Sequence, residues 1–149
     1  MILGSSNTMS PPIQPDESPR VVDFSAHVVF DVPESMAVLD EHLGPIHSDS
    51  ERIFEQYDRA GVDDLVFSQP PYIGFADAEA TAKANDSLLE VINNNDRAHG
   101  LAALPVAAGG EAAANEFERA LDLGYNGGAI ETRSGGIAPD DREAEPILE

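Results

Sequence analysis

The chain has four histidines, whose imidazoles can ligate a metal or transfer protons, and it has no cysteine. The absence of cysteine excludes disulfide scaffolds, thiolate metal sites and thiol nucleophiles. His27 closely follows a β-branched run at residues 21–24. A histidine at a strand end can ligate a metal, but one imidazole does not hold zinc, since a catalytic site normally uses three protein ligands. His27 therefore needs partners from other elements.

The other three histidines have weaker claims to chemistry. His42 and His47 lie in the long segment after the first strand, with four residues between them. They lack the alternate-residue spacing of a metal pair on a strand, so we interpret them as solvent-exposed titrating groups. His99 precedes the third predicted strand, and we interpret it as structural.

The elements that must position these residues alternate between short β-branched runs and longer amphipathic segments. Strands are predicted at residues 21–24, 64–68, 100–104 and 128–131. Helices fill the intervals between them. This alternation is typical of βαβ units around a parallel sheet, and it predicts an α/β fold.

The helices are marked by the signals at their ends. These signals are a capping box at Ser48 and Glu51, a stop at Gly61, an N-cap at Asp77 and a stop at Gly124. Asn85 lies among apolar neighbours of the second helix, and we interpret it as a buried amide bonded to a loop backbone. A fourth helix is predicted to begin at Asp140 or Asp141, with the sequence ending before its C-cap.

The net charge of the chain limits the classes of partner that it can bind. The 149 residues include 28 acidic and 8 basic side chains, for a formal net charge of −20. Such a charge repels phosphate backbones and anionic membranes, so we expect no nucleic-acid and no membrane partner. Acidic residues spread over the whole chain are typical of a halophilic surface, because the Debye length falls to about 3 Å in 1 M salt.

The first 19 residues form a separate segment in this interpretation. They are rich in proline and serine and have almost no periodic apolar pattern, which predicts a disordered leader. They lack the basic and apolar regions of a secretory signal, and no stretch reaches the roughly 18 apolar residues of a membrane span. We therefore expect a cytoplasmic protein whose folded part is residues 20–149.

The segment VDFSAH at residues 22–27 resembles the IDxHxH motif of the amidohydrolase-related family. This family is the branch of metal-dependent (β/α)8 hydrolases and decarboxylases that includes aminocarboxymuconate semialdehyde decarboxylase. Further segments match in the same order, among them AGVD at 60–63, SQPP at 68–71, AND at 84–86 and GLAALP at 100–105. The resemblance implies a partial domain of four βα units, the N-terminal half of a TIM barrel truncated in its fourth helix. A complete barrel needs roughly 200 residues or more.

The resemblance also implies a site. In the family, two histidines two residues apart leave the first strand and ligate a divalent metal, zinc or manganese, while later strands add further histidines and an aspartate. Ser25 stands where the first of these histidines is expected, so His27 is the candidate metal ligand that remains. Gln69 and Tyr72, in the loop after the second strand, are implied as substrate-side candidates because loops at this end of a barrel contact substrate.

Three functions stay open at this point. The resemblance implies a metal-dependent amidohydrolase-type hydrolase or carboxy-lyase acting on a small carboxylate or amide, incomplete and inactive as a half-barrel alone. The alternative is a non-catalytic degenerate fragment or a subunit of a split barrel, paired with a C-terminal half-barrel chain or with itself as a homo-oligomer. A flavodoxin-like ligand-binding module ranks last, because no GxGxxG follows the first strand.

Overall fold

The computed structural model describes residues 19–28, 49–69 and 77–148. Four strands alternate with three α-helices in this part of the chain. They are β1 (Val22–Ala26), α1 (Ser50–Ala60), β2 (Asp64–Ser68), α2 (Ala78–Asn93), β3 (Ala98–Ala103), α3 (Gly110–Leu123) and β4 (Gly127–Ala129). Two short 3-10 segments, Val106–Ala108 and Arg142–Ile147, lie on either side of α3 and β4 in the sequence. The four strands predicted from the sequence are thus confirmed, and the ends of β1, β3 and β4 are shifted.

The strands form one parallel sheet in the sequential order β1-β2-β3-β4. Doubly wound sheets instead reverse direction at a switch point, as in the flavodoxin-like order 2-1-3-4-5, so the flavodoxin-like alternative is wrong. With right-handed crossovers, a sequential order sets every helix on the same face of the sheet. The main core lies on that face, where the buried Leu65 and Phe67 belong to the same apolar cluster as Leu88 of α2. The other face corresponds to the inside of a barrel.

Local signals explain where the helices begin and end. Asp49 caps α1 by accepting a hydrogen bond from the backbone N–H of Arg52 at 3.2 Å, one residue after the predicted cap. Gly61, with φ of 73°, ends α1 in the left-handed conformation that glycine adopts without strain. Asp77 caps α2 as predicted, accepting from the N–H of Ala80 at 2.8 Å. None of the helices within the described ranges is long and apolar enough to cross a bilayer.

The predicted fourth helix begins at one of the two expected N-caps, Asp141, but it is a 3-10 segment and not an α-helix. After Asp141 the chain forms the 3-10 segment Arg142–Ile147, with Pro146 inside it. Proline has no N–H to donate to the carbonyl four residues earlier, so an α-helix is disfavoured at this point. The segment packs closely against the start of α3, where a Cβ on Gly110 would collide with the carbonyl oxygen of Glu143.

Candidate functional site

A bulge in β1 determines which way His27 faces. Asp23 pairs with Leu65, but Ala26 pairs with Phe67, so β1 has one residue more than β2 over the same stretch. Asp23 lies on the helix side, where its carboxylate accepts from the hydroxyl of Tyr57 in α1. Ala26 is also buried in the core. Because side chains alternate along a strand, His27 lies on the opposite side, at the carboxyl edge of the sheet.

The ring of His27 is held by the end of the neighbouring strand. Its Nδ1 lies 2.8 Å from the carbonyl oxygen of Ser68, the last residue of β2. A carbonyl oxygen can only accept, so Nδ1 must be the donor, and the neutral ring then keeps its lone pair on Nε2. Histidines that ligate metals commonly have this arrangement, with the other ring nitrogen donating to a backbone carbonyl. His27 as a residue is solvent-exposed.

The contacts of the other residues proposed from the sequence do not point to a metal or a substrate. Gln69 is 4% exposed, and its amide nitrogen donates to the carbonyl oxygen of Ala84 in α2 at 2.5 Å. Its amide therefore joins β2 to the helix layer, and its substrate-side role stays a prediction. Ser25 is exposed, and its backbone N–H donates to Asp23 at 2.9 Å. Tyr72, His42 and His47 lie outside the described residues, as do Ser48 and residues 1–18.

The described residues do not by themselves fit a metal ion. Among residues 19–28, 49–69 and 77–148, no group of three or more histidine, aspartate or glutamate side chains is placed to hold one. His27 is one imidazole where a catalytic site needs about three protein ligands. Any metal chemistry would therefore require donors beyond this part of the chain.

A buried polar network, of which the sequence singled out only Asn85, lies between α2, β3 and α3. Asn85 is fully buried and donates to Glu116 Oε1 at 2.7 Å, and Glu116 is itself only 7% exposed. Arg119 donates to Glu116 through Nε at 2.8 Å and to Asp86 through Nη1 at 2.8 Å. The hydroxyl of Tyr125 donates to the Asn85 carbonyl at 2.7 Å, and burial raises the pKa of this tyrosine. Glu116 and Arg119 share one face of α3 at a spacing of three residues, which is the sequence signal for this pair.

A second charged cluster lies at the opposite, amino-terminal end of the sheet. Arg20 Nη2 lies 2.6 Å from Oδ1 of the buried Asp64, and His99 Nε2 lies 3.4 Å from the same oxygen. His99 is the second residue of β3, so its predicted position before the strand is wrong. Backbone pairing with β2 begins the strand at Ala98. Charged groups at this end of a barrel serve stability, whereas active sites form at the carboxyl ends.

Asp23 and Tyr57 make a third polar contact, between β1 and α1. The hydroxyl of Tyr57 lies 2.5 Å from Asp23 Oδ2. This hydrogen bond and that from the Ser25 N–H lower the pKa of Asp23. Burial and the adjacent carboxylate raise the pKa of Tyr57 to about 12. The pair holds α1 against β1, four residues before His27.

No protein-family model matches the chain, and no curated protein is significantly similar to it in sequence. Solved structures do match its fold. A protein from Staphylococcus aureus assigned as an amidohydrolase superposes with a TM-score of 0.66 at 24% identity, over 86% of this chain and 42% of its own. The 2,6-dihydroxybenzoate decarboxylase from Rhizobium superposes with a TM-score of 0.70 at 21% identity, over 88% of this chain and 46% of its own.

The chain therefore spans less than half the length of the solved structures that it matches. The resemblance seen in the sequence is confirmed at the level of the fold. This chain has the fold of the N-terminal half of an amidohydrolase-type TIM barrel.

Proposed function

We propose that this chain is the N-terminal half of a metal-dependent amidohydrolase-type hydrolase or carboxy-lyase, inactive until a second half completes the barrel. The observation that carries the proposal is the placement of His27. It follows β1 at the carboxyl edge of the sheet, where barrel enzymes build their active sites. The Ser68 carbonyl accepts from Nδ1 of this ring, which supports a role for the Nε2 lone pair as a metal ligand. His27 is then one donor to zinc or manganese, and the completing half supplies the others.

The substrate class in this proposal is a small carboxylate or amide. One solved structure with this fold is a 2,6-dihydroxybenzoate decarboxylase complexed with 2,6-dihydroxybenzoate, an aromatic carboxylate. Among the described residues, the groups at the carboxyl edge of β1 and β2 are few. They are the imidazole of His27 and the hydroxyl of Ser68, which lies 3.4 Å from His27 Nδ1. These groups would bind and orient one end of a substrate. Gln69 would stabilise the same edge through its hydrogen bond to Ala84 of α2.

A second candidate, a non-catalytic subunit or degenerate half-barrel, is favoured by Ser25. A serine hydroxyl is a poor metal ligand beside an imidazole, so this chain contributes one donor where its likeness to the family implies two. The two candidates share the same fold and differ only in chemistry. Metal binding in the completed barrel separates them.

The first experiment measures metal on the chain alone. The protein is purified in about 2 M KCl, which screens its charge, dialysed against zinc or manganese and analysed by mass spectrometry of the metal. We expect less than about a tenth of an equivalent, because one imidazole does not hold zinc. Stoichiometric metal, lost in His27→Ala, would show a complete site within this chain and would contradict the proposed division of ligands.

The second experiment tests the completed barrel. The DNA that follows the last codon is read for further βα units with histidine and aspartate at strand ends, and any such polypeptide is co-expressed with this chain. The enzymatic proposal expects bound metal, weakened at least about tenfold by His27→Ala and unaffected by His99→Gln. Decarboxylation of 2,6-dihydroxybenzoate is the first assay for activity. A downstream sequence without such residues would favour the non-catalytic candidate.

A further inference from the structure

Two adjacent residues of α2 are bonded to the carboxyl ends of two neighbouring strands. The carbonyl oxygen of Ala84 accepts from Gln69 Nε2 at 2.5 Å, and Gln69 directly follows β2. The side chain of Asn85 exchanges two hydrogen bonds with Ala103, the last residue of β3. Both contacts are buried, since Gln69 is 4% exposed and Asn85 is fully buried. Side chains thus fasten α2 to this edge of the sheet at two strands.

The part of α2 that accepts from Gln69 is itself held from the other side. The backbone carbonyl of Asn85 accepts from the Tyr125 hydroxyl at 2.7 Å, and Asn85 Nδ2 donates to Glu116 Oε1 at 2.7 Å. Tyr125 and Glu116 are both buried. A buried polar network whose members are bonded to one another rigidifies the elements that it joins. Ala84, next to Asn85, is therefore a fixed anchor for the Gln69 side chain.

One peptide plane links Gln69 to His27. The atoms between the Cα of Ser68 and the Cα of Gln69 lie in this plane, because the peptide bond is planar. Pairing with β3 holds the first end, where Ser68 lies opposite Leu101. The hydrogen bond to Ala84 holds the second end through the Gln69 side chain. Together they set the direction of the Ser68 carbonyl, whose oxygen lies 2.8 Å from His27 Nδ1.

The direction of this carbonyl decides which ring nitrogen of His27 carries the proton. A carbonyl oxygen can only accept, so contact with it requires a proton on Nδ1. The hydroxyl of Ser68 lies 3.4 Å from the same Nδ1, and a hydroxyl can donate as well as accept. If the carbonyl turned away, the hydroxyl could donate to Nδ1 and the ring proton would move to Nε2, which is the tautomer that a free imidazole favours in water.

We propose that Gln69 is a positioning residue for His27. Its hydrogen bond to Ala84 holds the Ser68 carbonyl against Nδ1 and so keeps the lone pair of the ring on Nε2. The inference rests on the proposed function in taking this lone pair as the one that serves the site. Gln69 then acts on the site through the backbone of Ser68, and not through the direct substrate contact predicted from its place in the loop.

Nitrogen-15 NMR of the metal-free chain at about pH 9, where a histidine ring is neutral, tests the inference. Protonated and unprotonated ring nitrogens have well-separated chemical shifts, and the variant His27→Gln identifies the signals of His27. In the wild type we expect the proton on Nδ1. Gln69→Met keeps the length of the side chain but cannot donate to Ala84, so the ratio of the Nδ1–H to the Nε2–H form should fall at least about fivefold. Gln69→Asn, with an amide one methylene too short, should shift the ratio in the same direction.

Thr81→Val is the matched control. Thr81 is 1% exposed, and its hydroxyl donates to the Asp77 carbonyl at 2.7 Å, a buried hydrogen bond internal to the first turn of α2. This variant should lower the stability of the fold but leave the His27 tautomer as in the wild type. The signals of His99, at the opposite end of the sheet, should stay unchanged in every variant. Far-UV circular dichroism checks that each variant folds, and Gln69→Asn replaces Gln69→Met if the latter does not.

Three results would overturn the inference. They are a wild-type His27 with its proton on Nε2, a tautomer ratio in the Gln69 variants equal to that of the wild type, and a ratio that falls as far in Thr81→Val. No metal and no completing half enters these measurements. A tautomer that depends on Gln69 would therefore support the inference even if a completed barrel bound no metal. Metal bound by a completed barrel, with a tautomer independent of Gln69, would support the proposed function and refute only the inference.

Discussion

Asn85 and Ala103 exchange two hydrogen bonds, one in each direction. The backbone N–H of Ala103 donates to Asn85 Oδ1 at 2.9 Å, and Asn85 Nδ2 donates to the Ala103 carbonyl at 3.0 Å. The amide side chain thus behaves as an additional peptide group at the end of β3. It fastens α2 to the carboxyl edge of the sheet, where the candidate site lies. The same Nδ2 also bonds to Glu116 in α3.

Replacing Asn85 by leucine, which has a similar volume, should destabilise the fold strongly. The variant leaves the N–H and carbonyl of Ala103 and the buried Glu116 without this partner. We expect a loss of about 3 kcal/mol in the free energy of unfolding, measured by urea denaturation. Asn93→Leu, at the exposed last residue of α2, should cost less than about 1 kcal/mol. Equal losses in the two variants would contradict a special role for Asn85.

Replacing Arg119 alone should lower the free energy of unfolding more than replacing Arg119 and Glu116 together. Arg119→Met leaves the Glu116 carboxylate, 7% exposed, with only the amide of Asn85 beside it. We expect a loss of about 2 kcal/mol, reduced from the value for a fully buried pair because the Arg119 side chain is 36% exposed. The double variant E116Q/R119M should recover part of that loss. A strictly additive double-mutant cycle would show that the two side chains do not interact.

The sequence predicted the strand alternation better than the strand ends. β2 spans the predicted residues 64–68 because its run is both buried and bounded by loop residues. β3 begins two residues earlier than predicted, at Ala98, because the chain there pairs with Leu65 of β2. His99 looks polar in the sequence, yet it lies in the strand beside Asp64. Strand ends depend on pairing with a neighbour, which the local sequence does not contain.

The candidate site was predicted only in part. The position of His27 at a strand end follows from the sequence, but its direction depends on the bulge between Asp23 and Ala26. Its tautomer depends on the carbonyl of Ser68, some 40 residues away in sequence. Asn85 is buried as predicted, although its partner is the last residue of a strand and not a loop. Such contacts join distant segments, so no local pattern reveals them.

Tyr57 and Asp23 should make stability depend on pH at both extremes. The pKa of Asp23 is lowered in the folded protein, so its contribution is present above its ordinary value of 3.8 and is lost as the pH falls through the lower folded value. The pKa of Tyr57 is raised to about 12, so its contribution is present below pH 10.0 and is lost as the pH rises towards 12.

The variant Tyr57→Phe tests the acid and the alkaline decrease in stability together. We expect a loss of about 1 kcal/mol at pH 7 in this partly exposed pair, with a smaller decrease in stability below pH 3.8 and above pH 10.0 than in the wild type. Urea denaturation across the pH range measures it. Asp23→Asn should likewise reduce the acid and the alkaline decrease in stability. The double variant D23N/Y57F should lose little more stability than either single variant. A Tyr57→Phe profile parallel to that of the wild type would refute the coupling.

The excess of acidic residues should make folding stability rise with salt. The wild type carries a formal charge of −20, and we expect its free energy of unfolding to increase by about 2 kcal/mol between roughly 0.1 M and 2 M KCl at low protein concentration. The variant E111Q/E118Q/D122N removes three charges from exposed positions of α3 and should gain less. Sucrose, which favours compact states without screening charge, should stabilise both proteins equally. If KCl also stabilises both equally, salt acts through exclusion from the surface and not through charge.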